Sequence, residues 1–323
     1  MSQFTVIIPT FNRARLVERA IDSVLNQTHR PSQIIVVDDG STDNTTEVCA
    51  KYSGVIQYVR QSNAGVSAAR NHGVRLARFA WTAFLDSDDY WVPAHLEKIA
   101  TAIEATSGRG RFYFTNMQLP GGNQNETLWS KIGLKFSEPY LFIQDGTPWM
   151  LISWQPCSLQ CVVFNTNMLK LSGLFDPRFR IREDTELFCR LGIGGEICLV
   201  NNIGCIQTAD DSPENRLSET FHTRTETYWQ LECLLCRSLL SRFPDLKPYY
   251  KRILRHYLAI AHWRLARLYW RSGRFSSSMM TFFRALAEEP AFLKEVFRSR
   301  TEGQGSWSAG HLHVEHFQEA PTP

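Results

Sequence analysis

The chain has 323 residues, of which 43% are hydrophobic and 21% are charged, the composition of a soluble globular protein with a substantial core. Its formal net charge of +3 is too small to indicate nucleic acid or another polyanion as the main partner. The sequence shows no export signal before its first apolar run and no stretch of about 18 apolar residues that would span a membrane, and it therefore predicts a cytoplasmic protein.

Two kinds of apolar pattern alternate along the first half of the chain. Short apolar runs typical of buried strands occupy residues 6–8, 34–37, 55–59 and 81–85. Segments with apolar residues at helical spacing lie between them, at residues 15–27, 44–52 and 66–79. This alternation predicts βαβ units in an α/β fold, with a parallel sheet and helices on both of its faces.

The remainder of the chain is less regular. We predict an irregular excursion up to residue 148, and then a strand at 159–164, helices at 166–171 and 184–191, and a strand at 197–200. From about residue 216 the pattern changes to long amphipathic helices. The predicted parts are an α/β domain over residues 1–215, a helical C-terminal region over 216–300 and a disordered tail over 301–323.

An acidic cluster, Asp86-Ser87-Asp88-Asp89, directly follows the fourth predicted strand. Ligands of a parallel sheet bind beyond the carboxyl ends of its strands, which is where this cluster lies. Divalent cations such as Mg²⁺ prefer carboxylate oxygens and commonly combine one or two protein carboxylates with phosphate oxygens of a substrate. The cluster therefore indicates a metal site that stabilises a leaving diphosphate. The alternative is a solvated acidic turn that caps the next helix.

Two further acidic segments are candidates, one for binding a nucleotide and the other for accepting a proton from the substrate. Asp38 and Asp39 follow the second predicted strand, where a carboxylate can accept from a uracil imide or from ribose hydroxyls; alternatively, the segment is only a turn. Asp184 precedes an apolar helical pattern and is a candidate general base, although a carboxylate at a helix N-terminus is also a common cap.

Several short motifs follow one another in order. They occupy residues 6–13 (VIIPTFNR), 23–28 (SVLNQT), 35–43 (IVVDDGSTD), 63–71 (NAGVSAARN), 84–89 (FLDSDD), 172–176 (SGLFD) and 183–187 (EDTEL). Together, and in this order, they resemble family 2 glycosyltransferases over about residues 4–192. The resemblance implies a GT-A fold with a single nucleotide-binding sheet, and inversion at the anomeric carbon.

The resemblance also implies roles for individual residues. The donor site would comprise Pro9, Thr10, Asn12, Arg13, Asp38, Asp39, Asn63, Arg70, Asp86 and Ser87. Asp88 and Asp86 form the Asp-x-Asp motif that would bind Mn²⁺ or Mg²⁺, with Asp88 as the direct ligand. Asp184 would take the proton of the acceptor hydroxyl. One departure from the family is that residues 205–211 contain no Arg, Lys or His, so a basic helper would come from elsewhere, for instance from Arg216.

The resulting hypothesis is an inverting glycosyltransferase that moves a sugar from a UDP-linked donor to a hydroxyl of a cell-surface glycan or glycolipid. One alternative is a nucleotidyltransferase that makes the activated sugar, although residues 8–13 lack the glycine typical of its phosphate-binding loop. Another is a non-catalytic scaffold that binds nucleotide-sugar. The C-terminal helices would cover the acceptor site, form a homo-oligomer or contact the inner face of a membrane peripherally, the last through Arg264, Arg267 and Arg271. The alternative for these arginines is a packed helix with a solvated basic face.

Overall fold

The computed structural model of the chain describes residues 2–120, 126–151, 155–208 and 225–293. The chain divides into two compact units, of which the first comprises Met1–Met150 with Trp154–Arg216 and the second Leu151–Ser153 with Leu217–Pro323. The tail predicted at residues 301–323 lies outside the described residues. Among the helices of the described segments, none combines the length and the apolar character needed to cross a bilayer.

The first unit is built on one mixed sheet. Its described strands are β1 (Phe4–Thr10), β2 (Gln33–Asp38), β3 (Gln57–Arg60), β4 (Trp81–Phe84), β5 (Tyr90–Trp91), β6 (Phe112–Gln118), β7 (Tyr140–Ile143), β8 (Val162–Asn165) and β9 (Ile197–Ile206). The strand order is β3-β2-β1-β4-β8-β6-β9-β5, and β7 also pairs with β9. A helical C-terminal region follows, so the predicted α/β fold class is confirmed.

Strands β1 to β4 form the parallel half of the sheet that the sequence predicts. β1 pairs in parallel with β2 on one side and with β4 on the other, and β2 pairs in parallel with β3. All seven residues of β1 are buried because helices cover both faces of this half. Strand β3 begins two residues later than predicted. Since parallel strands end at the same edge, the segments that follow β1, β2 and β4 meet there.

The helices of the first unit are α1 (Ala14–Leu25), α2 (Thr45–Ala50), α3 (Val66–Leu76), α4 (His95–Ala105), α5 (Leu128–Lys131), α6 (Thr147–Met150), α7 (Thr166–Leu171) and α8 (Glu183–Gly192). Helix α3 lies unusually close to β1. A Cβ atom at Gly73 would come within 2.5 Å of the Ile7 side chain, so only glycine permits this approach. The close contact fixes the position of Arg70, one turn earlier on the same helix.

The second half of the sheet differs from the prediction. Strand β8 is antiparallel to both β4 and β6, and β6 was not predicted at all. The predicted irregular excursion before residue 148 is also wrong, because its described part contains α5 and β7 and the start of α6. Strand β5 follows the acidic cluster directly and pairs antiparallel with β9, so the cluster is held at both ends by the sheet.

The described helices of the second unit are α9 (Glu226–Arg242), α10 (Pro248–Arg271) and α11 (Phe275–Glu288). Its core between α9 and α10 is formed by Cys233, Cys236, Leu258, Ala261 and Leu265. Helix α10 follows the polar–apolar pattern expected of a helix packed on one side, since Leu254, Leu258 and Leu265 are buried. Pro248 occupies the first turn, where its missing N–H costs no intrahelical bond.

His95, the first residue of α4, is fully buried and makes the stability of the first unit depend on pH. Its ring contacts Trp91 with centroids 4.5 Å apart, and its Nδ1 lies 3.3 Å from Thr115 Oγ1. Burial lowers the pKa of His95 to about 3. In the unfolded chain a histidine pKa is about 6.5, so between these values only the unfolded state takes up a proton. The stability that neutral His95 contributes is therefore present above about pH 6.5 and is lost as the pH falls.

We expect the protonation of this histidine to lower the free energy of unfolding by about 2 kcal/mol between about pH 7.5 and about pH 5. Urea titrations at several pH values measure this loss. His95→Asn keeps an acceptor near Thr115 but has no titratable group, so the difference in unfolding free energy between the original chain and this variant should shrink by that amount as the pH falls, whatever other groups such as Asp89 contribute to both profiles. Parallel pH profiles for the two proteins would show that His95 is not the responsible group.

Candidate active site

The carboxyl ends of β1, β2 and β4 bring most of the sequence-predicted site residues to one edge of the sheet. Pro9 and Thr10 end β1, Asp38 ends β2, and the acidic cluster follows β4. The Thr10 carbonyl accepts from the Asp39 amide at 2.9 Å, which continues the strand pairing beyond the end of β2. Thr10 is buried, and its Oγ1 has no hydrogen-bond partner within the described residues. A ligand hydroxyl or phosphate would satisfy it.

The loop after β1 is locked to the loop after β2 by Asn12. This residue has a φ of 52°, an uncommon left-handed conformation for which asparagine is well suited. Its Oδ1 accepts from the Thr42 amide at 2.8 Å, and its own amide donates to Ser41 Oγ at 2.9 Å. Asn12 therefore fixes the position of the loop after β2 relative to the loop after β1. Its neighbour Arg13 extends toward the acidic cluster instead.

Asp38 and Asp39 are both buried, and the structure gives their carboxylates different surroundings. Asp38 accepts from the Ser41 amide at 2.8 Å and from the Tyr58 hydroxyl at 2.5 Å, which holds the turn after β2. Asp39 accepts from Gln61 Nε2 at 2.7 Å and from the amide of Gly65 at 2.8 Å, at the start of α3. The carboxylate of Asp39 thus ties the β2 loop to the segment that contains Asn63, which is exposed.

Gly40 makes the contact between these loops possible. Its φ is +86°, and a Cβ atom there would lie 2.9 Å from the Asn63 amide nitrogen. We expect Gly40→Ala to lower the free energy of unfolding by roughly 1–3 kcal/mol and to weaken nucleotide binding, because the chain must move to admit the methyl group. Gly54→Ala is the matched control, since Gly54 has a φ of +90° and a Cβ atom there would meet nothing within 4 Å. If urea titrations gave the two variants equal losses of unfolding free energy, the steric explanation for Gly40 would be wrong.

The acidic cluster is surrounded by positive and polar side chains from distant parts of the chain. Asp86 accepts from Arg70 Nη2 at 2.8 Å on one oxygen and from Gln160 Nε2 at 2.6 Å on the other. Asp88 forms an ion pair with Arg13 at 3.1 Å. The side chains of Asp86 and Asp88 are 25% and 27% exposed, so both remain accessible to a ligand.

Burial and mutual repulsion make this cluster electrostatically unfavourable. Burial and then the charge of Asp86 raise the pKa of Asp88, against the effect of Arg13. Burial, followed by the charges of Asp88 and Asp86, raises the pKa of Asp89 to about 8, although the Thr208 amide and Arg19 lower it. A bound cation would relieve this repulsion, since it would stabilise the ionised carboxylates.

Arg70 connects the acidic cluster to the helix that carries Asp184. Its guanidinium is buried and donates to Glu183 Oε1 at 2.6 Å as well as to Asp86. Burial opposes the charge of Arg70, but the carboxylates of Asp86 and Glu183 together raise its pKa. Asp184 is the next residue, in the first turn of α8, and is partly exposed. One buried arginine thus holds the Asp-x-Asp segment and the start of α8 in a single cluster.

Gln160 and Arg19 belong to this site but were not predicted. Gln160 lies in a 3₁₀ turn (Leu159–Cys161) before β8, and its carbonyl accepts from Trp91 Nε1 at 2.7 Å, which places its side chain against Asp86. Arg19 donates to the Asp88 carbonyl at 2.7 Å and to Thr208 Oγ1 at 2.9 Å. Arg19 therefore supplies a cation beside the segment after β9, where the family pattern expected one. Arg216, the predicted helper, lies outside the described residues.

The residues fit a divalent cation that takes part of its coordination from a substrate. Within the described residues, no group of three or more His, Cys, Asp or Glu side chains is arranged to hold a metal by itself. The accessible carboxylates of Asp86 and Asp88 form the incomplete set that Mg²⁺ or Mn²⁺ commonly completes with water and phosphate oxygens.

The sequence of the chain is similar to those of known glycosyltransferases. The family model "Glycosyl transferase family 2" matches residues 5–150. The chain is 35% identical over 153 residues to an uncharacterized glycosyltransferase, alr2836, of Nostoc sp., a match that covers 46% of this chain and 47% of that protein. It is 36% identical over 120 residues to the glycosyltransferase GlyA of Streptococcus pneumoniae, covering 35% and 17% respectively. The chain thus spans less than half the length of these curated relatives.

Among solved structures, the chain is similar to S. aureus TarS 1-349 in complex with UDP-GlcNAc. The TM-score is 0.64 at 18% sequence identity, and the alignment covers 94% of this chain and 92% of the TarS chain. This likeness concerns the fold, including the α/β sheet and the helical region that follows it. Residues 5–150 thus match the model of glycosyl transferase family 2, and the fold of the α/β sheet is GT-A-like.

Proposed function

We propose that the chain is an inverting glycosyltransferase that moves a sugar from a UDP-linked donor to a hydroxyl of a cell-surface glycan or glycolipid. The observation that carries this proposal is the contact of Arg70 with both Asp86 and Glu183, at 2.8 and 2.6 Å. It joins a site suited to a diphosphate with the helix start that carries a candidate base. Sugar transfer needs the diphosphate site and the base close together, because the bond from the acceptor oxygen to the anomeric carbon forms as the bond to the diphosphate breaks.

The diphosphate would bind beside Asp86 and Asp88. These two carboxylates would hold Mn²⁺ or Mg²⁺, which would supply positive charge to stabilise the diphosphate as it leaves. Arg13, whose guanidinium already contacts Asp88, adds a positive charge at the same place. The nucleoside would lie over the loops after β1 and β2. There, the Thr10 hydroxyl, which has no partner in the described part of the chain, and the carboxylate of Asp39 offer a donor and an acceptor.

Asp184 would act as the general base. It would take the proton of the acceptor hydroxyl while that oxygen attacks the anomeric carbon from the side opposite the leaving diphosphate, and this geometry inverts the anomeric configuration. Glu183 is a weaker candidate because it is buried and already bound to Arg70. The partial exposure of Asp184 lets an acceptor reach it.

A panel of nucleotide-sugars, tested with and without Mn²⁺, examines this proposal. We expect UDP-sugars to raise the melting temperature in the presence of Mn²⁺, since a ligand at 100 times its dissociation constant stabilises the folded state by about 2.7 kcal/mol. The choice of UDP is supported by TarS, a protein of this fold in complex with UDP-GlcNAc. Slow release of UDP in water should accompany binding.

The same panel separates the alternative functions. A nucleotidyltransferase would release pyrophosphate from a nucleoside triphosphate and a sugar phosphate. A non-catalytic scaffold would bind a nucleotide-sugar without ever releasing UDP, even with acceptor glycans present. If only nucleoside triphosphates raised the melting temperature, or if no nucleotide did, the proposed function would be contradicted.

A further inference from the structure

One side of helix α11 packs on the core of its own unit through Phe282 and Leu286, whereas the other side exposes large apolar residues. Phe275, Met279 and Phe283 recur every four residues, and they are 55%, 46% and 59% exposed. The buried positions of the helix are Ser278, Thr281 and Ala285. A helix that packs only on its own core carries polar residues on its exposed side, and an exposed apolar patch of this kind marks an interaction site.

Neighbouring residues extend this surface. Met280 is 54% exposed, and Trp270, at the end of α10, is 57% exposed with its ring 4.8 Å from that of Phe275. We call these five side chains the apolar face: Trp270, Phe275, Met279, Met280 and Phe283. Tryptophan, phenylalanine and methionine are side chains that insert readily between lipid headgroups.

The surroundings of the apolar face are basic. Arg284 Nη2 lies 3.8 Å from Met280 Sδ. The guanidinium of Arg267 is 6.0 Å from the ring of Trp263, which in turn contacts Phe282 on α11. Helix α10 contains six Lys or Arg residues and no Asp or Glu. The described residues 225–293 contain eleven Lys and Arg but five Asp and Glu. The charge is therefore complementary to an anionic surface.

We propose that the apolar face of α11 docks onto an anionic membrane surface, with the aromatic and methionine side chains among the headgroups and the arginines on lipid phosphates. Apolar insertion and attraction of basic residues to anionic lipid are the two contributions that hold interfacial helices. A second copy of the chain is the less suitable partner, because a symmetric contact would bring two basic borders together. The docking needs no donor or acceptor and is independent of the proposed sugar transfer.

Vesicle co-sedimentation of the full chain tests this surface. We expect binding to phosphatidylcholine vesicles that contain about one quarter phosphatidylglycerol, much weaker binding to pure phosphatidylcholine, and release at high salt. The double variant Phe275→Ser with Phe283→Ser should bind at least ~10-fold more weakly, since two exposed aromatic side chains lose their burial in the bilayer. Because both positions are exposed, the variant should keep its melting temperature.

The matched control replaces two exposed apolar residues of the first unit, Leu171→Ser with Val55→Ser, which are 83% and 56% exposed. This control should bind vesicles like the original chain. Equal binding of the α11 variant, or equal binding to neutral and anionic vesicles, would overturn the docking surface. So would a dimer in sedimentation velocity that the α11 substitutions dissociate, combined with no vesicle binding, since it would identify a second copy as the occupant.

Discussion

Replacement of Asp184 by Asn is expected to reduce sugar transfer by roughly 10²–10⁴-fold, because the amide cannot take the proton of the acceptor hydroxyl. The exchange preserves shape and hydrogen-bonding capacity, and the Thr185 amide that donates to Asp184 Oδ1 at 2.7 Å can still find an acceptor. Binding of the donor should therefore remain, within a factor of a few, as measured by calorimetry with UDP-sugar and Mn²⁺.

The separation of binding from turnover makes this a test of a base and not of a structural residue. Asp22→Asn is a suitable control, since it removes an exposed carboxylate that accepts from Tyr52 on the surface of α1. It should leave turnover unchanged. If Asp184→Asn lost donor binding as well, the residue would belong to the donor site and the base would have to be sought elsewhere.

Replacement of Asp88 by Ala is expected to reduce turnover by roughly 10²–10³-fold and to remove its dependence on Mn²⁺. The carboxylate is the more accessible member of the pair with Asp86, whose two oxygens accept from Arg70 and Gln160. Loss of Asp88 leaves one carboxylate, which is too few to hold the cation without substrate. Initial rates over a titration with Mn²⁺ measure both effects.

The stability of the same variant distinguishes a functional from a structural loss. Burial and the charge of Asp86 raise the pKa of Asp88, so the ionised carboxylate destabilises the folded protein when no metal is bound. We therefore expect Asp88→Ala to unfold at the same urea concentration as the original chain or at a higher one. Full activity with an unchanged response to Mn²⁺ would contradict the metal assignment.

The local sequence determined the parallel half of the sheet and the position of the site along its edge. Runs of β-branched residues such as 34–37 suit only buried strands, and helical apolar spacing between them leaves the parallel βαβ arrangement as the consistent solution. Because ligands bind where such strands end, the same pattern placed Asp39 and the acidic cluster at the candidate site. Five of the seven family motifs lie in this half or directly after it, for the same reason.

Only the tertiary structure decided which side chains meet. Arg70 and Glu183 are 113 positions apart, and Gln160 and Asp86 are 74 apart, so no local pattern encodes these contacts. The antiparallel pairing of β8 with β4 and β6 depends likewise on long-range packing. The outward apolar face of α11 was also beyond the sequence, because an amphipathic pattern shows that a helix has two sides but not which side meets the core.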